Sequence, residues 1–214
     1  MSIRARLVVL LAVVAAALGG SQRSPADVVL EMGGANNIVR AVATGTNMTA
    51  VHAHTQVASV GGITVGSTNI ADAEATDCTG CHSTAVAVQT IFVVGSPQFY
   101  TPGNFAGAFN GGCNFCFTFA YAWQYLLQVS GPVHLTPTGQ AELGNLRQQI
   151  ADTAATPVNS KDDATALCLR LNDLTSQLRS VIDDELVASG VLATGTPNEH
   201  VDVSNGDLNE NPCP

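Results

Sequence analysis

Residues 113–125 read Cys113-Asn114-Phe115-Cys116-Phe117-Thr118-Phe119-Ala120-Tyr121-Ala122-Trp123-Gln124-Tyr125. Every second residue from Phe115 to Tyr125 is aromatic, and between them stand Cys116, Thr118, Ala120, Ala122 and Gln124. A period of two is the spacing of a β-strand, whose side chains alternate between its faces. Alanine by itself favours helix. Six aromatics in strict alternation nevertheless predict a strand with one large face and one small face.

The stretch has an earlier copy 35 residues upstream. Asn69 to Pro97 aligns without a gap on Asn104 to Pro132, with ten identities in 29 positions. Asn69, Ala71, Ala73, Cys78, Cys81, Ala85, Ala87, Gln89, Val94 and Pro97 meet the same residue types in the second copy. A fixed offset of this kind marks a duplicated supersecondary unit. Each copy reads as a strand, a turn bearing Cys-x-x-Cys, and a second strand whose small face is buried. A short link between two strands predicts a hairpin, so the expected sheet is antiparallel. Residues 36–68 add two or three strands, with Ile38 to Ala43 and Thr49 to Val57 alternating.

Composition changes near residues 131–137. Between Arg40 and Arg147 there is no lysine or arginine, whereas helix formers and charges dominate from Thr136 onward. Thr136 can cap a helix that has Pro137 at its first position. Leu143, Leu146 and Ile150 give it an apolar stripe, and a second stripe runs from Ala164 to Leu186. The predicted fold is α+β: an antiparallel sheet built on a duplicated CxxC hairpin, followed by a C-terminal helical hairpin. The divisions are a signal peptide at 1–19, a lead-in at 20–36, a β-rich duplicated region at 37–135, a helical hairpin at 136–189, and a flexible acidic tail at 190–214.

The first 19 residues carry Arg4 and Arg6, then the apolar run Leu7 to Leu18, then Ala17-Leu18-Gly19 as a small-x-small cleavage pattern. Twelve apolar residues are too few to span a bilayer of roughly 30 Å. The expectation is a secreted, extracellular chain with no transmembrane segment after cleavage. Removing residues 1–19 takes away two bases and no acid, moving the net charge from -9 to -11. Such a surface excludes nucleic-acid binding through a basic face. No Walker loop, dinucleotide fingerprint, GxSxG elbow or HExxH helix occurs. No catalytic residue and no metal ligand set is assigned, and no enzymatic activity is expected.

Six cysteines in an exported chain read as disulfide candidates: Cys78, Cys81, Cys113, Cys116, Cys168 and Cys213. One reading pairs Cys78 with Cys81 and Cys113 with Cys116, leaving Cys168 for Cys213. Another links the two copies to each other. Cys78-Thr79-Gly80-Cys81-His82 also spells CxxCH, the attachment pattern of haem c with His82 as axial ligand. Phe117 replaces that histidine in the second copy. CxxC is equally the spacing of extracytoplasmic thiol-disulfide redox proteins, and two CxxC pairs match zinc spacing, which oxidised cysteines oppose. His52 and His54 lie two apart on one strand face, with no third ligand nearby in sequence. The row Phe115, Phe117, Phe119, Tyr121, Trp123 and Tyr125 is either an exposed binding surface or core beneath the helices.

The repeated N-x-A-x-A, CxxC, A-x-A-x-Q motif is followed by Gly131-Pro132-Val133-His134-Leu135-Thr136-Pro137 with Gly139, and by Asp183-Asp184-Glu185-Leu186-Val187. Together these resemble an uncharacterised family of secreted proteins of high-GC Gram-positive bacteria. They are also similar to the tails of proteins labelled as peptide zinc metalloproteases. The resemblance covers roughly residues 37–189 and implies no catalytic residue. The resulting expectation is a secreted, disulfide-containing structural or binding module with an extracellular or cell-surface partner. The alternatives are an exported c-type haem protein and a redox protein.

Overall fold

A computed structural model describes residues 30–206 and Cys213; the expected signal at 1–19 lies outside the described residues. The strands are β1 (Leu30–Met32), β2 (Asn36–Thr46), β3 (Thr49–Gly61), β4 (Thr64–Thr79), β5 (His82–Val94), β6 (Phe99–Gly111), β7 (Phe117–Val129) and β8 (Asn198–Asn205). Two helices, α1 (Pro137–Ala154) and α2 (Lys161–Ser189), lie between β7 and β8.

The antiparallel hairpin is not formed. β2, β4 and β6 make one sheet; β1, β3, β5, β7 and β8 make the other. All pairings are parallel except that of β7 with β8. The CxxC corner carries the chain from one sheet to the other instead of folding a strand back on its neighbour. β4 and β5 therefore face each other across the interior, and each pairs with the strand one full turn of chain away. The crossover that a parallel pair needs is supplied by the strand of the opposite sheet. The result is a short two-sheet parallel solenoid of three stacked turns.

Like residues stack because the pairing repeats at the chain offset of the turn. Asn69 pairs with Asn104, Ala71 with Ala106 and Ala73 with Ala108. Ala85 pairs with Ala120, Ala87 with Ala122 and Gln89 with Gln124. Between the sheets, Val39, Ala41, Ala71, Ala73, Ala85, Ala87, Ala106, Ala120 and Ala122 form one buried cluster. Side chains this small let the two backbones approach closely while excluding water.

Two amide ladders run through the same interior. Asn37 Nδ2 donates to Asn69 Oδ1 at 2.9 Å, and Asn69 Nδ2 donates to Asn104 Oδ1 at 2.8 Å. Gln124 Nε2 donates to Gln89 Oε1 at 2.7 Å, and Gln89 Nε2 to Gln56 Oε1 at 2.7 Å. Asn69 also reaches the opposite sheet, donating to the carbonyls of Ala87 and Trp123 at 3.0 and 3.1 Å. A carboxamide offers both donor and acceptor, so identical amides one turn apart bond each other without a buried charge. Of the ladder amides, only Gln124 Oε1, at the end of the glutamine ladder, is left without a donor among the described residues.

The outward face of β5 and β7 carries the large residues, and the helices cover it. Phe92, Phe119, Tyr121, Trp123, Tyr125 and Leu127 are buried against Leu143, Ile150, Leu171, Leu178 and Ile182. Thr136 caps α1 by accepting from the Gly139 amide at 3.1 Å. Its own amide and hydroxyl donate to the Glu185 carboxylate of α2, the hydroxyl at 2.7 Å. A Cβ at Gly139 would lie 2.1 Å from Glu185 Cδ. Gly139→Ala should therefore destabilise by about 2 kcal/mol, against the ~1 kcal/mol gain usual for Gly to Ala in a helix. Thermal unfolding of that variant checks this; an unchanged or raised midpoint would separate Glu185 from the helix link.

The C-terminal stretch read from sequence as a flexible tail contains β8. Its Asp202 accepts from the Ala106 amide on the edge of β6 at 2.8 Å, and Cys213 is bonded to Cys168 of α2.

Candidate functional site

The first candidate is the cysteine corner. Disulfides join Cys78 to Cys81, Cys113 to Cys116, and Cys168 to Cys213. The two CxxC turns stack because their backbones are hydrogen-bonded between turns. Gly80 N donates to Asn114 O at 2.8 Å, Asn114 N to Cys78 O at 3.0 Å, and Phe117 N to Cys81 O at 2.9 Å. Gly80 and Phe115 occupy the left-handed region, with φ of 66° and 56°. Asparagine and glycine tolerate this region well; phenylalanine does not, so the corner geometry is imposed on Phe115 by its surroundings. Cys78, Cys81 and Cys116 are buried with Ala43 and Ala75. The sulfurs of Cys78, Cys113 and Cys116 lie within 4.8 Å of one another.

The haem arrangement does not fit this geometry. Thioether attachment needs both thiols of the motif, and Cys78 and Cys81 are bonded to each other. The His82 ring is held by two contacts. Its Nδ1–H donates to the Val158 carbonyl at 2.9 Å, and its ring stacks on Phe117 at 6.0 Å with planes 2° apart. His52 and His54 sit on the first turn, where His54 Nδ1 bonds Asn37 Oδ1 at 2.7 Å and His52 Nδ1 bonds the Arg40 carbonyl.

The aromatic row divides. Phe119, Tyr121, Trp123 and Tyr125 are buried, Phe117 is partly buried against His82, and Phe115 is exposed at the corner. Trp123 Nε1 donates to Glu199 at 2.8 Å, and the Tyr125 hydroxyl donates to Asp183 at 2.7 Å. Burial raises the Tyr121 hydroxyl well above its ordinary value. Burial, followed by the hydrogen bond to Asp183, pushes Tyr125 up to about 12. Four of the six residues therefore hold the helices and present no surface.

A second candidate surface lies on the opposite side of the molecule. The outward face of β2, β4 and β6 has no layer over it among the described residues. In register across it run Ile38, Ile70 and Phe105, then Arg40, Asp72 and Gly107, then Val42, Glu74 and Phe109. Phe105 and Phe109 are 57% and 58% exposed, and Phe99, six residues before Phe105 on the same side of β6, is exposed as well. The phenylalanines lie down along β6 because glycines alternate with them. A Cβ at Gly107 would meet the Phe105 ring at 2.9 Å, and one at Gly111 would meet the Phe109 ring at 2.5 Å. At about 3.3 Å per residue, two flattened rings therefore sit roughly 13 Å apart on an even surface. Arg40 sits among these apolar rows, 3.2 Å from Asp72 and 2.7 Å from Glu74. Partial burial, then the Glu74 charge, raises the Asp72 carboxyl, while Arg40 lowers it.

Sequence reading missed this face. Its signal was the alternation Phe105-Gly107-Phe109-Gly111, weaker than the aromatic row of β7 and easily taken for turn-rich strand. No helix among the described residues is long and apolar enough to cross a membrane. No protein-family model, curated protein or solved structure matches this chain, and the likeness drawn from its duplicated motif stands on the motif alone.

Proposed function

We propose that the chain is a secreted structural or binding module without catalysis, and that the outward face of β2, β4 and β6 is its contact surface. One observation carries this reading. The outer face of the sheet holding β5 and β7 is covered by the helices, whereas the outer face of β2, β4 and β6 has no layer over it among the described residues and presents flattened phenylalanines to solvent. Exposed Ile38, Phe105 and Phe109 flanking the Arg40–Asp72–Glu74 ion cluster make a mixed surface of the kind that marks an interaction site. The rigidity comes from the amide ladders and from turns stapled by disulfides, which lowers the ordering cost of binding. The partner is an extracellular or cell-surface molecule with a flat face that meets both the phenylalanines and the Arg40–Asp72–Glu74 cluster.

The test is a double substitution, Phe105→Ser with Phe109→Ser, in the chain expressed by its own producing cells. Surface substitutions of this kind should change stability by about 0.5 kcal/mol or less. Fractionation of intact cells should then show the variant shifted from the cell surface into the medium by tenfold or more. An unchanged distribution with an unchanged melting temperature would remove the face from the function. Intact mass of the exported protein should fall six hydrogens below the reduced chain with no added haem.

A further inference from the structure

We propose that the four corner cysteines form a reduction-gated site for one soft divalent cation, with Zn2+ as the representative ion. The inference is independent of the outward sheet face. Three of the four sulfurs already lie within 4.8 Å of one another, and the fourth, Cys81, is bonded to one of the three. A tetrahedral zinc thiolate site has Zn–S of about 2.3 Å, hence sulfurs about 3.8 Å apart. Opening each disulfide frees its two side chains to rotate toward that spacing, the Cα atoms of each pair standing 6.0 Å apart.

The backbone has a separate reason to stay in place. The hydrogen bonds Gly80 to Asn114, Asn114 to Cys78 and Phe117 to Cys81 hold the two turns in register without any help from sulfur. The Asn69–Asn104 and Gln89–Gln124 bonds pin the adjoining strands. Reduction therefore leaves four thiols gathered at one corner instead of dispersing them. Cys81 is 0% exposed, Cys78 4% and Cys116 5%, while the second turn reaches the surface through partly buried Cys113. Among the described residues, three of the four sulfur-bearing side chains are thus sheltered from water and Cys113 is the most accessible. Thiolate sulfur selects soft cations such as Zn2+ over magnesium or calcium.

The step balances with a dithiol as reductant. Each disulfide accepts two electrons and two protons and becomes two thiols, while the dithiol becomes its own disulfide. Two dithiols open both corner bonds. Zn2+ then displaces four protons and forms four Zn–S bonds.

The test uses the full chain and Co2+ as a spectroscopic substitute for zinc. All three disulfides are reduced in urea with a phosphine, which becomes a phosphine oxide with oxygen from water. The chain is then refolded without oxygen in the presence of Co2+. The expected result is one Co2+ per chain, with sulfur-to-cobalt charge-transfer absorption and tetrahedral d–d bands, bleached by added Zn2+. Cys78→Ser with Cys81→Ser should abolish the bands, as should Cys113→Ser with Cys116→Ser. Cys168→Ser with Cys213→Ser should leave them intact. In the wild-type chain, Zn2+ should protect four of the six thiols from alkylation, a readout that needs no variant. The proposal is overturned by any of these results: no tetrahedral bands at one equivalent, bands that survive either CxxC substitution, alkylation of all six thiols at the same rate with zinc, or a reduced chain that regains no strand signal even with zinc.

Discussion

Trp123→Ala is expected to lower stability by about 3–5 kcal/mol, the largest effect of any single substitution considered. Trp123 has no exposed surface, stacks near Tyr125 at 5.8 Å, and donates its indole N–H to Glu199. Truncation removes the large side chain and leaves a cavity between β7 and the helical layer. It also frees a carboxylate that Arg179 otherwise shares at 2.7 Å. Urea unfolding followed by circular dichroism measures it, with the midpoint falling and the slope unchanged. An exposed aromatic platform would give a change within about 0.5 kcal/mol at this position. That outcome would mean the helices do not rest on β7.

Asn69→Ala should cost about 3 kcal/mol. Asn69 is the middle rung of its ladder and fully buried. Its loss leaves Asn104 Oδ1 without the donor above it and removes the acceptor of Asn37 Nδ2. It also strips a donor from the Ala87 and Trp123 carbonyls. Each buried polar group left without a partner costs about 1–3 kcal/mol, and partial compensation keeps the sum below full additivity. Asn104→Ala, at the end of the ladder and partly exposed, should cost about half as much. Equal, small effects at both positions in chemical denaturation would show that the amides do not form a ladder.

Much of the local structure was legible from residues. The alternation from Phe115 to Tyr125 marked a strand, and the alanine face marked the side that meets the opposite sheet. Thr136-Pro137 marked the start of α1, as Pro at the first helical position and a threonine cap require. The pairing direction was not legible. A four-residue CxxC link between two strands looks the same whether the chain folds back within a sheet or turns a corner into another. The deciding signal was that Asn69 and Gln89 recur at one offset in the second copy. Buried amides gain most when stacked on their own kind, and only parallel pairing one turn apart stacks them.

The first turn of the solenoid was hidden for a different reason. Asn37 and Gln56 belong to the same ladders. However, β2 pairs with β4 at offsets of 32 and 33, and β3 with β5 at 33. The link from β5 to β6 is longer than that from β3 to β4, so the offset grows to 35 in the next turn. The corner at Gly45 to Met48 also lacks cysteine. The outward face of β2, β4 and β6 went unread because it depends on which strand lies beside which. Ile38, Ile70 and Phe105 share no local pattern and become one row only after parallel pairing.

Amide-to-amide nuclear Overhauser contacts on the isotope-labelled, oxidised protein test the stacked parallel turns most directly. Stacked parallel turns give backbone cross-peaks linking the Ala71 region to the Ala106 region and the Ala85 region to the Ala120 region. Cross-peaks joining Ala75 to Ala85 as hydrogen-bonded neighbours around the first CxxC turn, with none between residues 35 apart, would contradict it.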